Sequence, residues 1–268
     1  MRHGLDQPTL STPRPDLASL VASLGPYYSC LWCALEDSVT RNAPVASDDG
    51  PVRSLLRNLQ AAGVVLANTS ESSSTRRSLY HPISWTYSPA WDAHPALRGA
   101  IALALRNWQG PAHTEARVAL WGRLVNDEIS AYLANILRRH RVSPERADGV
   151  IAMQESPWFN LSSGRRRYVV WSGMRVAASV MLQTGMDEVA AMQALGKEML
   201  LRSRWLQRRE QEARLGPREF CFLPNADWRS PIVIEVALES LLGSSCNYWT
   251  LCPSALRLRD EPRSSRQL

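Results

Sequence analysis

The stretch TEARVALWGRLVNDEISAYLANILRRHRV, residues 114–142, constrains the fold most, because it carries the longest unbroken periodicity in the chain. Val118, Trp121, Val125, Ile129, Tyr132, Leu133 and Ile136 recur at steps of three and four, the spacing of one α-helical face. A helix with such a stripe has to bury it against other elements, so the chain is expected to be mainly α. Arg138, Arg139, His140 and Arg141 close the run. Cations there face the negative pole of the helix and stabilise it by roughly 0.3–1 kcal/mol each, which favours a structural role over a binding patch.

Shorter helices precede it. Asp16 can cap LASLVASLG, and Pro26 opens a second helix in which Leu31, Leu35 and Val39 share a face. PVRSLLRNLQAAG, residues 51–63, has aspartates before it, proline in its first turn and glycine at its end. Its stripe is Val52, Leu55, Leu56 and Leu59, which leaves Arg53 and Arg57 on the outer side. GVVLANT and RSLYHPISWTY then have strand-like content, separated by the polar loop SESSSTRR that ends in Arg76 and Arg77. Pro82 places the second strand at an edge or ends it early. Three helices followed by strand, loop and strand resemble a winged helix, so residues 16–92 are expected to form an N-terminal winged-helix domain with a β-hairpin wing. That resemblance implies Arg53 and Arg57 facing a DNA groove, with Arg76 and Arg77 on phosphate.

Residues 93–255 read as an all-helical module. Within it, ESPWFNLSSGRRRYVVW is expected to be extended or a β-hairpin, with Arg165, Arg166 and Arg167 at its turn as further candidate DNA contacts. VAASVMLQTGMDEVAAMQALG pairs two apolar-faced helices across a turn, a helix-turn-helix-like unit within residues 174–200, with Asp187 placed as a cap. Its outward positions, Gln183, Glu188 and Gln193, are not basic, which favours core packing over base reading. SPIVIEVALESLLGSS reads as a short apolar helix in which Glu235 and Glu239 form a solvated stripe. Residues 1–15 and the basic residues 256–268 are expected to be disordered tails.

Two family resemblances arise at these residues. The spacing from Arg175 to LGK, ending at Lys197, is similar to the arginine-to-LGH spacing of tyrosine recombinases, but Leu206 stands where that family has its attacking tyrosine and Ser172 where it has a histidine. Without the nucleophile, strand transfer has no route, so this resemblance implies at most an inactive relative. SGMRVAASVML, LGPREFCFLPNADW and SSCNYWTLC, within residues 172–252, resemble the C subunit of the flagellar master regulator and its relatives on conjugative elements. That resemblance implies a bacterial transcription regulator. The family holds a four-cysteine zinc cluster, whereas this segment offers Cys221, Cys246 and Cys252, so no zinc ligand is assigned.

The net charge of +6 and pI near 9.4 suit an anionic partner. Of the 31 basic residues only Lys197 is lysine. Arginine's planar fork fits phosphate and guanine, although a GC-rich genome favours the same residue. Cys30 and Cys33 have C-x-x-C spacing without a second pair at zinc-ribbon distance, and read as a buried structural pair. His3, His81, His94, His113 and His140 make no metal signature, and the chain has no HExxH, G-x-S-x-G, Walker or G-x-G-x-x-G motif. No cofactor and no enzymatic activity are therefore expected. Most of the ten tryptophans sit among apolar neighbours and read as core. The first residues lack the apolar core of a signal peptide and no run approaches the ~18 apolar residues of a membrane span, so a cytoplasmic protein without membrane contact is expected.

Taken together, these features predict a non-enzymatic DNA-binding transcription regulator associated with a mobile element. Double-stranded DNA is its expected partner, with dimerisation or a protein contact through the helical module. The alternatives are a protein–protein adaptor of a mobile-element or defence complex, and a replication initiator or inactive recombinase relative.

Overall fold

In the first helix, α1 (Leu17–Asp37), Asp16 accepts the Ser19 backbone N–H at 3.0 Å, and the helix bends where Gly25 takes φ 62° and ψ −179° ahead of Pro26. Only glycine enters that region readily, and proline then starts the second half. The structure is a computed structural model that describes residues 16–38, 40–41, 43–67, 85–88, 94–152, 158, 160–212, 214–216, 218–224, 230–243 and 246–260. Residues 1–15 and the loop carrying Arg76, Arg77 and Pro82 lie outside the described residues.

Asp48 caps α2 (Asp49–Ala61) through the Gly50 N–H at 3.0 Å. The helix ends at Gly63, φ 72°, where Val64 N–H reaches back to Leu59 O at 2.9 Å and satisfies a terminal carbonyl. Strands β1 (Val65–Ala67) and β2 (Trp85–Tyr87) pair antiparallel, with Val65 opposite Tyr87. Trp85 and Tyr87 pack their rings on Trp32 of α1 at 5.0 and 5.7 Å, and the Tyr87 hydroxyl donates to Glu36 at 2.6 Å. The strand pair is thus fastened to α1.

Among the described residues the further α-helices are α3 (His94–Asn107), α4 (Thr114–Arg139), α5 (Ala147–Ala152), α6 (Ser163–Gln183), α7 (Glu188–Gln211), α8 (Ile232–Ala237, continued by a π-helical turn Leu238–Leu242) and α9 (Pro253–Asp260). The molecule is mainly helical, as its periodicity predicts. On α4, Val118, Trp121, Val125, Ile129 and Leu133 are buried, while Tyr132 and Ile136 are half-buried at the edge of the stripe. This helix lies against α1, α5, α6 and α9.

Packing crosses the domain boundary expected after residue 92. Helix α8 is apolar on nearly every side, with Ile232, Val233, Ile234, Val236 and Ala237 buried. Such a helix needs cover all round. It docks on α1, and the Ile232 and Val233 N–H groups donate to Pro44 O and Val45 O at 2.9 and 3.0 Å. Buried residues from both expected modules join one core.

Two expectations are corrected, and α1 adds an observation of its own. Residues 163–171 are helical, so Arg165, Arg166 and Arg167 sit in the first two turns of α6 and not at a hairpin turn. The tail expected from residue 256 is helical through Asp260, because Leu256 is buried and Arg257 grips the Glu115 carboxylate at 2.7 and 2.9 Å. Finally, α1 has the length and mean hydropathy of a membrane span despite its interrupting polar residues. Half of that segment is buried in the fold, Leu31, Trp32 and Leu35 completely.

Candidate nucleic-acid interface

Helix α2 separates its faces cleanly. Val52, Leu55, Leu56 and Leu59 enter the core, while Arg53, Arg57, Asn58 and Gln60 are exposed. Arg53, Arg57 and Gln60 follow at steps of four and three, one outward row that Asn58 flanks. Arg53 lies 3.8 Å from Asp49 and Arg57 donates to Ser54 Oγ at 3.3 Å. Exposed pairs of this kind contribute only about 0.2–1 kcal/mol, so they exchange readily for a stronger acceptor. Arginine suits guanine edges and phosphate, and asparagine and glutamine suit adenine. Asn58 and Gln60 were missed in the sequence, although the helical spacing from Arg53 and Arg57 was the signal that places Gln60.

The arginine triplet is organised inward. Arg165, Arg166 and Arg167 are 5%, 4% and 8% exposed, and most of their donors are taken up inside the protein, the buried Arg167 Nε alone among the three side chains being left without an acceptor among the described residues. Arg165 binds Glu210 at 2.8 Å and Gly216 O at 3.0 Å. Arg166 donates to Asn126 Oδ1, Trp158 O and Leu161 O at 2.7, 3.0 and 3.1 Å, close to the rings of Trp121 and Trp158. Arg167 meets Glu128 Oε1 at 3.0 Å and stacks over Tyr132, while Ser163 donates to Glu128 Oε2 at 3.1 Å. These side chains tie α6 to α4, α7 and the chain that follows α7, and do not present a surface to DNA.

Burial governs the titration of this network. It pushes the Glu128 carboxyl up to about 7 against the pull of Arg167, and lowers Arg166 to about 10. Neighbouring Asp127 is pushed up to about 6 by burial, with the Tyr27 hydroxyl and Arg123 acting in the opposite direction. Arg123 lies 3.8 Å over the Tyr27 ring.

Helices α6 and α7 pack on each other across a turn at Thr184 and Gly185, the segment read as a helix-turn-helix-like pair in the sequence. Asp187 accepts the Val189 and Ala190 N–H groups at 2.9 and 3.1 Å, and Gly185 takes φ 67° in the turn. Gln183 and Gln193 are exposed and Glu188 half-buried. At the positions resembling a recombinase, Leu206 is fully buried and Ser172 donates to Glu198 at 3.2 Å.

The thiols face different partners. Cys221 Sγ lies 3.9 Å from Ser162 Oγ, Cys246 donates to Leu242 O at 3.4 Å, and Cys252 Sγ lies 3.1 Å from Ser254 Oγ. Among the described residues no three His, Cys, Asp or Glu side chains gather as a metal site. A four-cysteine zinc cluster does not fit this arrangement. Cys30 is fully buried and its thiol pushed well above the usual range, and burial raises Cys33 to about 11. Comparison of the chain with protein-family models, with curated proteins and with solved structures finds no match.

Proposed function

We propose that this protein is a non-enzymatic, DNA-binding transcription regulator of a bacterial mobile element, acting in the cytoplasm. The observation that carries the reading is the outward row Arg53, Arg57 and Gln60 on α2, followed directly by the antiparallel strands β1 and β2. In this reading residues 16–92 act as a winged helix: α2 enters the major groove, and the loop with Arg76 and Arg77 reaches the neighbouring backbone. The likeness of residues 172–252 to the C subunit of the flagellar master regulator supports the regulatory role.

A protein contact through the helical module has its own support. Leu182 is 83% exposed at the α6–α7 turn, with Met186 and Val189 more than half exposed beside it. Exposed apolar side chains grouped in this way mark interaction surfaces. The same group favours the second reading, an adaptor whose N-terminal module packs on protein.

A mobility-shift assay with the full chain and mixed-sequence duplex DNA separates the two. Regulation by DNA contact gives a retarded complex, which Arg53→Ala together with Arg57→Ala weakens by about tenfold or more. No retarded complex at physiological salt sinks the DNA reading and leaves the adaptor.

A further inference from the structure

A row of five aromatic rings crosses the outer side of the α6–α7 pair. Trp171 and Phe222 lie 4.9 Å apart, Phe222 and Tyr168 5.8 Å, Tyr168 and Phe220 5.2 Å, and Phe220 and Trp205 5.0 Å between centroids. Tyr168 and Trp171 come from α6 and Trp205 from α7, with Phe220 and Phe222 on the chain beyond α7. Phe220 is exposed and the other four are half-buried, Tyr168 and Trp205 resting partly on the core, so the row forms a continuous aromatic strip that solvent reaches.

Cations sit at both ends. The Arg175 guanidinium lies 4.9 Å over Trp171, and those of Arg202 and Arg209 lie 5.6 and 5.1 Å from the Trp205 centroid. Arg204, Arg208 and Lys197 are exposed on α7 nearby and, among the described residues, make no ion pair with a carboxylate. Of the adjacent acids, Glu198 is paired with Arg202 and Glu210 with Arg165, while the Glu219 carboxylate accepts the Gly216 N–H and is outnumbered by Arg175, Arg204, Arg208, Arg209 and Lys197. The row is therefore flanked by positive charge.

One ring of the row is held in an unusual conformation. Phe220 takes φ 53°, a left-handed conformation that a bulky aromatic rarely adopts. Gly164 anchors the segment, donating to Trp249 O at 3.0 Å and accepting the Phe222 N–H at 2.9 Å. A Cβ at position 164 would lie 2.9 Å from Trp249 O, so only glycine lets these strands of chain meet. Outliers of this kind collect at binding sites, where the surroundings hold a side chain in place for a ligand.

We propose that this row binds single-stranded nucleic acid, on a surface separate from the α2 face. Unpaired bases stack on the rings, and their phosphates draw the arginines off the outer ring faces. A duplex keeps its bases stacked inside and gains little here. A proline-rich peptide would use the rings but leave the flanking cations without a role.

The test uses the full chain and labelled oligothymidylate or oligouridylate of about 16 nucleotides, read by fluorescence anisotropy, with inorganic polyphosphate and a proline-rich peptide as competitors. We expect saturable binding of at least one oligonucleotide, with the tighter of the two identifying the strand chemistry. Trp171→Ala and Trp205→Ala should each weaken it about tenfold, while Trp205→Phe keeps most of it and duplex binding is unchanged. The proposal is overturned if neither oligonucleotide saturates, if polyphosphate competes fully while Trp205→Ala binds like the parent, or if only the peptide occupies the row. Because duplex affinity is measured separately, failure of this proposal and failure of the α2 reading are distinguishable.

Discussion

Three successive arginines on one helical turn point about 100° apart, so Arg165, Arg166 and Arg167 reach different neighbours. Their partners Glu210, Asn126 and Glu128 are 45, 40 and 39 positions away along the chain, where no local pattern marks them. A basic triplet beside glycine and serines therefore reads as a surface turn until the fold supplies its acceptors. Arg53 and Arg57 are the opposite case, because helical spacing alone places them opposite a leucine stripe. The buried network also sets a pH dependence. The Glu128 carboxyl, raised from 4.5 to about 7, binds its proton more tightly in the folded than in the unfolded chain. Its contribution is thus most favourable at low pH and is lost as pH rises from about 4.5 through about 7. Asp127, raised to about 6, has the same sign. We expect urea midpoints to fall between pH 6 and 7.5 in the parent, and Glu128→Gln to flatten that decline even though it lowers overall stability; an unaltered slope would assign the titration elsewhere.

At the scale of elements, helix boundaries were legible because capping chemistry is local. Asp16 and Asp187 cap the helices expected of them, and Gly25 with Pro26 divides α1 where the sequence breaks. The start of α6 was not legible. Its YVVW run has the β-branched and aromatic content of a strand, and its first turns are buried almost all round, so no amphipathic stripe betrays the helix. Two substitutions probe this pair. Asp187→Ala removes the acceptor for two N–H groups and should cost about 1 kcal/mol in chemical denaturation. Gly173 allows close approach of α7, since a Cβ there would lie 2.8 Å from both Leu195 Cδ1 and Met199 Cγ. Gly173→Val should lower stability by about 1–3 kcal/mol through overpacking, visible as a reduced melting temperature, whereas an unchanged melt would mean the pair has room to shift.

At the scale of the whole molecule, the mainly α class followed from periodicity, but the docking of α8 on α1 did not. Helix α8 packs on α1, and its Ile232 and Val233 N–H groups bond to Pro44 and Val45, about 190 positions away along the chain. Non-local contacts of that kind leave no trace in spacing or composition. The α2 face is therefore carried on a frame that includes the C-terminal helices. The most direct measurement is the salt dependence of duplex affinity for the full chain, compared with Arg53→Ala/Arg57→Ala and Arg76→Ala/Arg77→Ala variants. We expect the logarithm of the association constant to fall linearly with the logarithm of salt concentration, and each pair of substitutions to make that slope shallower by up to about two units, roughly one per lost phosphate contact. Parent protein without duplex affinity, or variants that keep the parent's slope and affinity, would contradict DNA binding through this face.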